Sequence, residues 1–310
     1  MISHGAPSEN LTRDGSGAFL STTAPAGIDT ASALGAADGR DYRQWYIPTG
    51  PLPASAQAAT RQPPPGQIGK GVDMYKVVWI ARYRNDMTRQ EASDYWAGHH
   101  GPLMKKVSPV SGYVQSHVQG PLPAVSGVAE EETLFDGYSC AWWKDRADFQ
   151  QAMTTPAWQR IVEDGPNVFD VDWLLNMSAH IEEARMIEGP TSPYKVVWII
   201  RFKEGLTREE GREYWRRVHG PIFKKLDIDR YIQNHVVGPI GEEGETGRAE
   251  IGFDGFSECW FRDETQFRNA VESDTWAVAV EDAQNVFDMT QMWGAALREN
   301  VVVPPPLLGI

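Results

Sequence analysis

The sequence predicts an α+β fold in which two copies of a β-α-β-β-α-β unit close on each other as a barrel. Two observations carry that expectation. The chain repeats itself, and each copy alternates short apolar strand patterns with capped helical segments. Tyr75-Lys-Val-Val-Trp79-Ile returns as Tyr194-Lys-Val-Val-Trp198-Ile, Tyr113-Val-Gln-Ser-His117 as Tyr231-Ile-Gln-Asn-His235, and Asn167-Val-Phe-Asp as Asn285-Val-Phe-Asp. Tyr75 to Tyr194 is a shift of 119 residues and Tyr113 to Tyr231 one of 118, so the copies differ by a single residue between those points. That period is far longer than solenoid repeats and marks a duplicated domain.

Each copy reads the same way from its start. The β-branched run Lys76 to Ala81, or Lys195 to Ile200, predicts a strand. Thr88-Arg-Gln-Glu91 and Thr207-Arg-Glu-Glu210 have the spacing of a capping box, which satisfies the orphan amides at a helix start. The helix runs to His100 or His219, where Gly-Pro is expected to break it because proline lacks the amide donor. A histidine at such a break can point into a cleft. Strands follow at Tyr113 to Val118 (Tyr231 to Val237) and Gly137 to Trp143 (Gly255 to Phe261), joined by polar, Glu-rich connections. A single amphipathic helix is expected from Asp145 through Trp158 (Asp263 through Trp276), and a last strand near Leu174 to Ile181 (Met292 to Arg298). This is the split β-α-β, or ferredoxin-like, order, whose sheet leaves one face bare. The second copy supplies a matching sheet to cover it. The expected layout is an extended or flexible arm over 1–73, repeats over 74–190 and 191–302, and a Pro-rich tail over 303–310. Within the arm, Tyr42 to Pro48 could anchor on a folded surface.

Composition narrows the function. A net charge of −13 with no basic run argues against nucleic acid, whose binding needs clustered Lys and Arg. No apolar run reaches the length of a membrane span, and no secretory signal is evident. Cys140 and Cys259 fall at neighbouring positions of the two copies, so a reducing, cytoplasmic setting is expected. Of the twelve tryptophans, Trp79/Trp198, Trp96/Trp215, Trp142/Trp260 and Trp158/Trp276 recur in pairs, as core aromatics or pocket walls.

The chemistry-bearing residues come from period-two alternation. Tyr231, Gln233 and His235 share one strand face, as do Tyr113, Gln115 and His117; Phe256, Glu258 and Trp260 share another. If these faces meet under the helix break, His219, Tyr231, His235 and Glu258 converge on one cavity. An imidazole, a carboxylate to orient it and a phenol to meet an oxyanion suffice for proton transfer without a cofactor. The first repeat keeps His100, Tyr113 and His117 as a second-site candidate, but Cys140 stands where Glu258 would be. Trp198, Trp260, Phe256, Gln233, Trp79 and Trp142 are the candidate binding residues. His99-His100 is a poor metal pair, since neighbours on a helix diverge by about 100°, and no metal is expected. Asp136 and Asp254 in Phe-Asp-Gly are expected to cap turns. No phosphate loop, Cys-x-x-Cys or Gly-x-Ser-x-Gly motif is present.

Tyr-Trp-x-x-x-His219-Gly-Pro-Ile-x-Lys-Lys, then Tyr231-x-Gln-Asn-His235, then Phe-Asp254-Gly-Phe-x-Glu258-x-Trp resembles the EthD domain of the dimeric α/β-barrel superfamily. The resemblance covers about 74–187 and 193–302. It implies an intramolecular version of a barrel that relatives build from two chains. It also implies a cofactor-independent lyase, dehydratase, isomerase or cyclase acting on a small aromatic or polyketide-like metabolite. His235 would be the general base, positioned by Glu258, with Tyr231 and His219 supplying acid or oxyanion contacts. A non-catalytic binding protein is the alternative, and a haem-binding barrel the minor one. The expected assembly is a monomeric barrel or a homodimer of tandem barrels.

Overall fold

The computed structural model describes residues 74–122, 134–240 and 251–306. The N-terminal arm with its Tyr42–Pro48 stretch, most of the two polar connections and the last four residues lie outside the described residues.

The strands are β1 (Tyr75–Ala81), β2 (Gly112–Pro121), β3 (Gly137–Trp143) and β4 (Ser178–Ile187), then β5 (Tyr194–Ile200), β6 (Arg230–Gly238), β7 (Gly255–Phe261) and β8 (Trp293–Val303). They form one closed barrel in the order β1-β3-β2-β8-β5-β7-β6-β4. The two sheets therefore do more than face each other. β2 pairs antiparallel with β8, and β4 with β6, so each repeat's last strand hydrogen-bonds to the other repeat and no edge is left open.

The helices lie outside. α1 (Arg89–Tyr95) and its counterpart α4 (Arg208–Tyr214) start at capping boxes in which Thr88 and Thr207 pair with Glu91 and Glu210. The Gly-Pro element does not end these helices, contrary to expectation. Trp96–His100 and Trp215–His219 each widen into one π-helical turn, and helical structure resumes at Gly101–Leu103 and Gly220–Ile222. The reason is local. Pro102 and Pro221 cannot donate to the carbonyl four residues back, so the turn opens and Gly101 N–H reaches Trp96 O instead, as Gly220 N–H reaches Trp215 O. Gln115 and Gln233 Nε2 cap the same two carbonyls at 3.1 Å. A Cβ at Gly101 or Gly220 would strike those amides, so both positions need glycine.

The expected single second helix is two. α2 (Arg146–Met153) and α3 (Pro156–Asp164) are separated at Thr154-Thr155, because Thr155 caps α3 and Pro156 opens it. α5 (Glu264–Val271) and α6 (Asp274–Ala283) repeat the break, with Ser273 as the cap. Leu174, expected in a strand, lies in a short helix, Val171–Asn176, and β8 runs on into the expected tail as far as Val303. Alternation then sorts every strand. Tyr75, Val77 and Trp79 pack outward against the helices, while Val78 and Ile80 pack inward with residues of the other seven strands.

Candidate functional site

The inward face is not uniformly apolar. At its centre lie Lys76 and Lys195, the second residues of the equivalent strands β1 and β5, each only 2% exposed. Lys195 Nζ donates to Glu258 Oε1 and Glu299 Oε1, both at 2.6 Å, and to Ser116 Oγ at 3.3 Å. Lys76 Nζ donates to Glu183 Oε2 at 2.7 Å and Asn234 Oδ1 at 2.6 Å, and lies 3.8 Å from Glu258 Oε2. Glu258 is thus shared between two ammonium groups, one from each repeat. Tyr138 Oη donates to its Oε1 at 2.6 Å and Asn234 Nδ2 to its Oε2 at 2.9 Å. Aromatic faces complete the cage: Lys195 Nζ lies 4.6 Å from the Trp260 ring centre, and Lys76 Nζ 5.0 Å from that of Trp142.

All of these groups except Asn234 border a cavity of about 830 Å³ that opens past Arg185, Glu188, Thr191, Arg230 and Pro304–Pro306. That is the size of a small-molecule site. Its charges are held away from neutrality. Burial alone would discharge Lys76 and Lys195, but the carboxylates around them, Glu183 and Glu258 foremost, outweigh it and raise both pKa values. Burial likewise opposes the charge on Glu258, but Lys195 and Lys76 overcome it and hold the carboxyl well below the usual range. The Tyr138 phenol is pushed up by burial and then by Glu258, and the Cys140 thiol, mainly by burial, to about 12. At neutral pH the lumen therefore presents fixed ammonium and carboxylate charges beside a protonated phenol and thiol.

The expected histidine–carboxylate site is not formed. β6 and β7 pair Ile232 with Glu258 and His235 with Gly255, so Glu258 shares its face with Ile232 and Asn234. Tyr231, Gln233 and His235 point the other way, into the helix layer, and Glu258 cannot position His235. There His235 Nε2 meets Gln233 Oε1 at 3.1 Å, its ring packs edge-on to Trp215 at 4.6 Å, and its buried Nδ1 has no hydrogen-bond partner among the described residues. Tyr231 Oη accepts from Trp215 Nε1 and Gln233 Nε2, both at 3.1 Å. His219 Nδ1 pairs with Asp282 Oδ2 at 2.9 Å and His100 Nδ1 with Asp164 Oδ2 at 2.7 Å, so both bridge helices and neither lines this cavity. His117 Nδ1 lies 2.9 Å from Ser93 Oγ, and Tyr113 is buried on the same outward face. Of the candidate binding residues, Trp142 and Trp260 line the cavity and Phe256 packs inside the barrel. Trp79 and Trp198 pack outward against Trp158 and Trp276, and Gln233 holds the π-turn carbonyl.

The buried imidazoles give the protein an acid limit. Burial, then the Arg298 charge, lowers His117 to about 4, and burial with Arg146 lowers His180 to about 4. Burial also lowers His235 and, against the pull of Asp282, His219. Unfolded imidazoles take up protons first as pH falls below about 6.5. The imidazole contribution to stability is therefore complete above that pH and is lost on going toward 4, by on the order of 3 kcal/mol for His117 alone. Urea unfolding at pH 7.5 and pH 4.5 measures this, and His117→Gln should flatten the profile. A profile already flat in the native chain would contradict neutral buried imidazoles.

Residues 84–172 and 203–290 each match the family model of the EthD domain. The chain belongs to the EthD family. No curated protein matches it. Solved structures similar to this EthD chain include an ethyl tert-butyl ether D (EthD) family protein from Bacillus halodurans C-125. The two share 17% identity, cover 35% of this chain and 96% of that one, and give a TM-score of 0.27. An anthrone oxidase-like protein shares 9% identity over 77% and 97% of the two chains, with a TM-score of 0.47. A chlorite dismutase from Candidatus Nitrospira defluvii, in complex with imidazole, shares 13% over 74% and 92%, with a TM-score of 0.37.

The two EthD repeats contribute unequally to the lumen. Tyr138 and Cys140 of the first occupy the places of Phe256 and Glu258 in the second, and Ser116 that of Asn234. Sequence reasoning passed over Lys76, Lys195, Tyr138 and Asn234. The available signal was a lysine set second in an otherwise apolar strand, in both copies. The lumen's residues do not fit haem. No imidazole among the described residues faces the cavity, and Cys140 is held as the thiol. Nor do the described residues include a cluster of three or more His, Cys, Asp or Glu side chains able to hold a metal ion. No described helix is long and apolar enough to cross a membrane.

Proposed function

We propose that the barrel lumen binds a small aromatic or polyketide-like metabolite and performs acid–base chemistry of the lyase or isomerase class on it, without a cofactor. The observation that carries this reading is the cavity of about 830 Å³ in which Trp142 and Trp260 flank the Lys76–Glu258–Lys195 cluster. An aromatic ring would lie against the two indoles. A carbonyl or phenolic oxygen would take N–H donors from Lys195 and Lys76, which stabilise the oxyanion as it develops. Glu258 is a weak base while both ammonium groups hold it. As the ligand oxygen claims them, the carboxylate regains basicity and takes a proton from the carbon next to the carbonyl. The C–H electron pair becomes the enolate. Returning the proton to another carbon completes an isomerisation, and giving it to a departing hydroxyl releases water in a dehydration.

Deuterium incorporation into 2-tetralone, followed by proton NMR in D2O, tests this proton transfer. The native chain should accelerate exchange over buffer, and Glu258→Gln should lose about a hundredfold of that acceleration. One observation favours a second reading, that of a binding protein serving a partner enzyme: the shifted lumen groups are all held away from neutral pH. Saturable quenching of tryptophan fluorescence by 2-tetralone without accelerated exchange would select that reading. Absence of both would remove the lumen as a site.

A further inference from the structure

The two halves of the cavity mouth are built differently. Gly112 and Arg230 occupy equivalent places, each one residue before the repeated tyrosine and each paired in register with a lumen tryptophan, Trp142 or Trp260. In the first half the chain's own C-terminal segment fills that place. A Cβ on Gly112 would come within 2.7 Å of Pro305 Cα and 3.1 Å of Pro306 Cδ, so no larger residue fits. In the second half a guanidinium sits there, 5.1 Å above the Trp260 ring.

Arg230 differs from the other cations that line the cavity. Lys76, Lys195 and Arg185 each hold a carboxylate within 3 Å: Glu183 at 2.7 Å, Glu258 at 2.6 Å and Glu183 at 2.9 Å. Among the described residues no carboxylate lies within ion-pair reach of Arg230, and its Nε is buried with no hydrogen-bond partner. Four cations (Lys76, Lys195, Arg185, Arg230) and four carboxylates (Glu183, Glu188, Glu258, Glu299) line the cavity, so it does not repel anions as a whole. Among the described residues, the one unanswered charge lining the cavity is positive and stands at its mouth.

Resting on the lumen reading above, we infer that Arg230 is an anion anchor and that the ligand class is an aromatic carboxylate. A guanidinium stacked on an indole meets a carboxylate with two parallel N–H donors while the ligand ring follows the same indole inward. Arg230 and Ile232 are successive inward residues of β6, and Ile232 is paired with Glu258. Two residues of strand span about 7 Å. The carboxylate therefore sits about one ring's length from the oxygen that meets the lysines, across the aromatic system and not beside that oxygen.

Calorimetric titration of the full chain with 2-naphthoate and with its neutral counterpart 2-naphthamide tests this. The native chain should bind the carboxylate about tenfold more tightly at low salt. Arg230→Gln should abolish that preference without weakening the amide, and Arg230→Lys should keep part of it. Equal binding of the two probes by the native chain, or equal weakening of both by Arg230→Gln, would overturn the anchor while leaving the lumen site in place. Binding of neither probe would remove the lumen reading and the anchor together. Unchanged urea midpoints for the variants would show that the fold is intact.

Discussion

Lys195→Met lowers the unfolding free energy by about 3–5 kcal/mol, the range for removing one partner of a buried ion pair. The substitution leaves Glu258 buried, with Tyr138 and Asn234 as hydrogen-bond donors and its nearest ammonium group 3.8 Å away on Lys76. It also strips Glu299 of its ion pair at 2.6 Å. Methionine fills nearly the same space, so little of the loss comes from packing. Adding Glu258→Gln removes the stranded charge and should recover at least about 1.5 kcal/mol, a coupling that additive sites would not show. The pH dependence has a defined sign. The raised Lys195 pKa contributes stability below the ordinary lysine value that is lost as pH rises through the folded one. The depressed Glu258 pKa contributes stability above the ordinary carboxyl value that is lost as pH falls. Urea unfolding of the native chain, the single variant and the double variant reads all of this. A single variant within about 1 kcal/mol of native would mean that the lumen charges are not held as a closed network.

Asp254→Ala costs about 3–5 kcal/mol, and the equivalent Asp136→Ala only about 1–2. Both aspartates perform the same local task. Asp254 Oδ2 accepts from Phe202 N–H at 2.8 Å and Asp136 Oδ2 from Tyr83 N–H at 2.7 Å, tying the second residue past each repeat's first strand to the start of its third. The difference lies in the arginine. The Arg208 side chain is 4% exposed where it pairs with Asp254 at 3.1 Å, whereas that of Arg89, paired with Asp136 at 2.9 Å, is 42% exposed. Losing the carboxylate costs a buried guanidinium its counter-charge in the second repeat, while water replaces much of the loss in the first. Two unfolding curves decide it, and equal costs would mean that burial of the arginine does not set the price.

Some of the site was legible in the chain and some was not. The repeat predicted eight strands in two equivalent sets. Thr88-x-x-Glu91 and Thr207-x-x-Glu210 marked helix starts, because a capping box depends only on residues three apart. Alternation correctly grouped Tyr231 with His235 and Phe256 with Glu258, since the pleat fixes which side chains of a single strand share a face. The Gly-Pro element misled, because a π-turn with Gln115 or Gln233 from another strand lets the helix survive a proline that would otherwise end it.

The sequence by itself determined that this is a doubled domain of one family, with its strands, its helix caps and the two-sided character of each strand. Tertiary structure alone decided which sides meet. A shift of one residue between β6 and β7 would exchange lumen for helix layer, and no local interaction sets that register. The observed pairing of Ile232 with Glu258 sends the imidazoles outward to helices and the carboxylate inward. There it meets lysines from both repeats, 63 and 182 residues away along the chain, since charges kept from water must find partners wherever the closed barrel brings them.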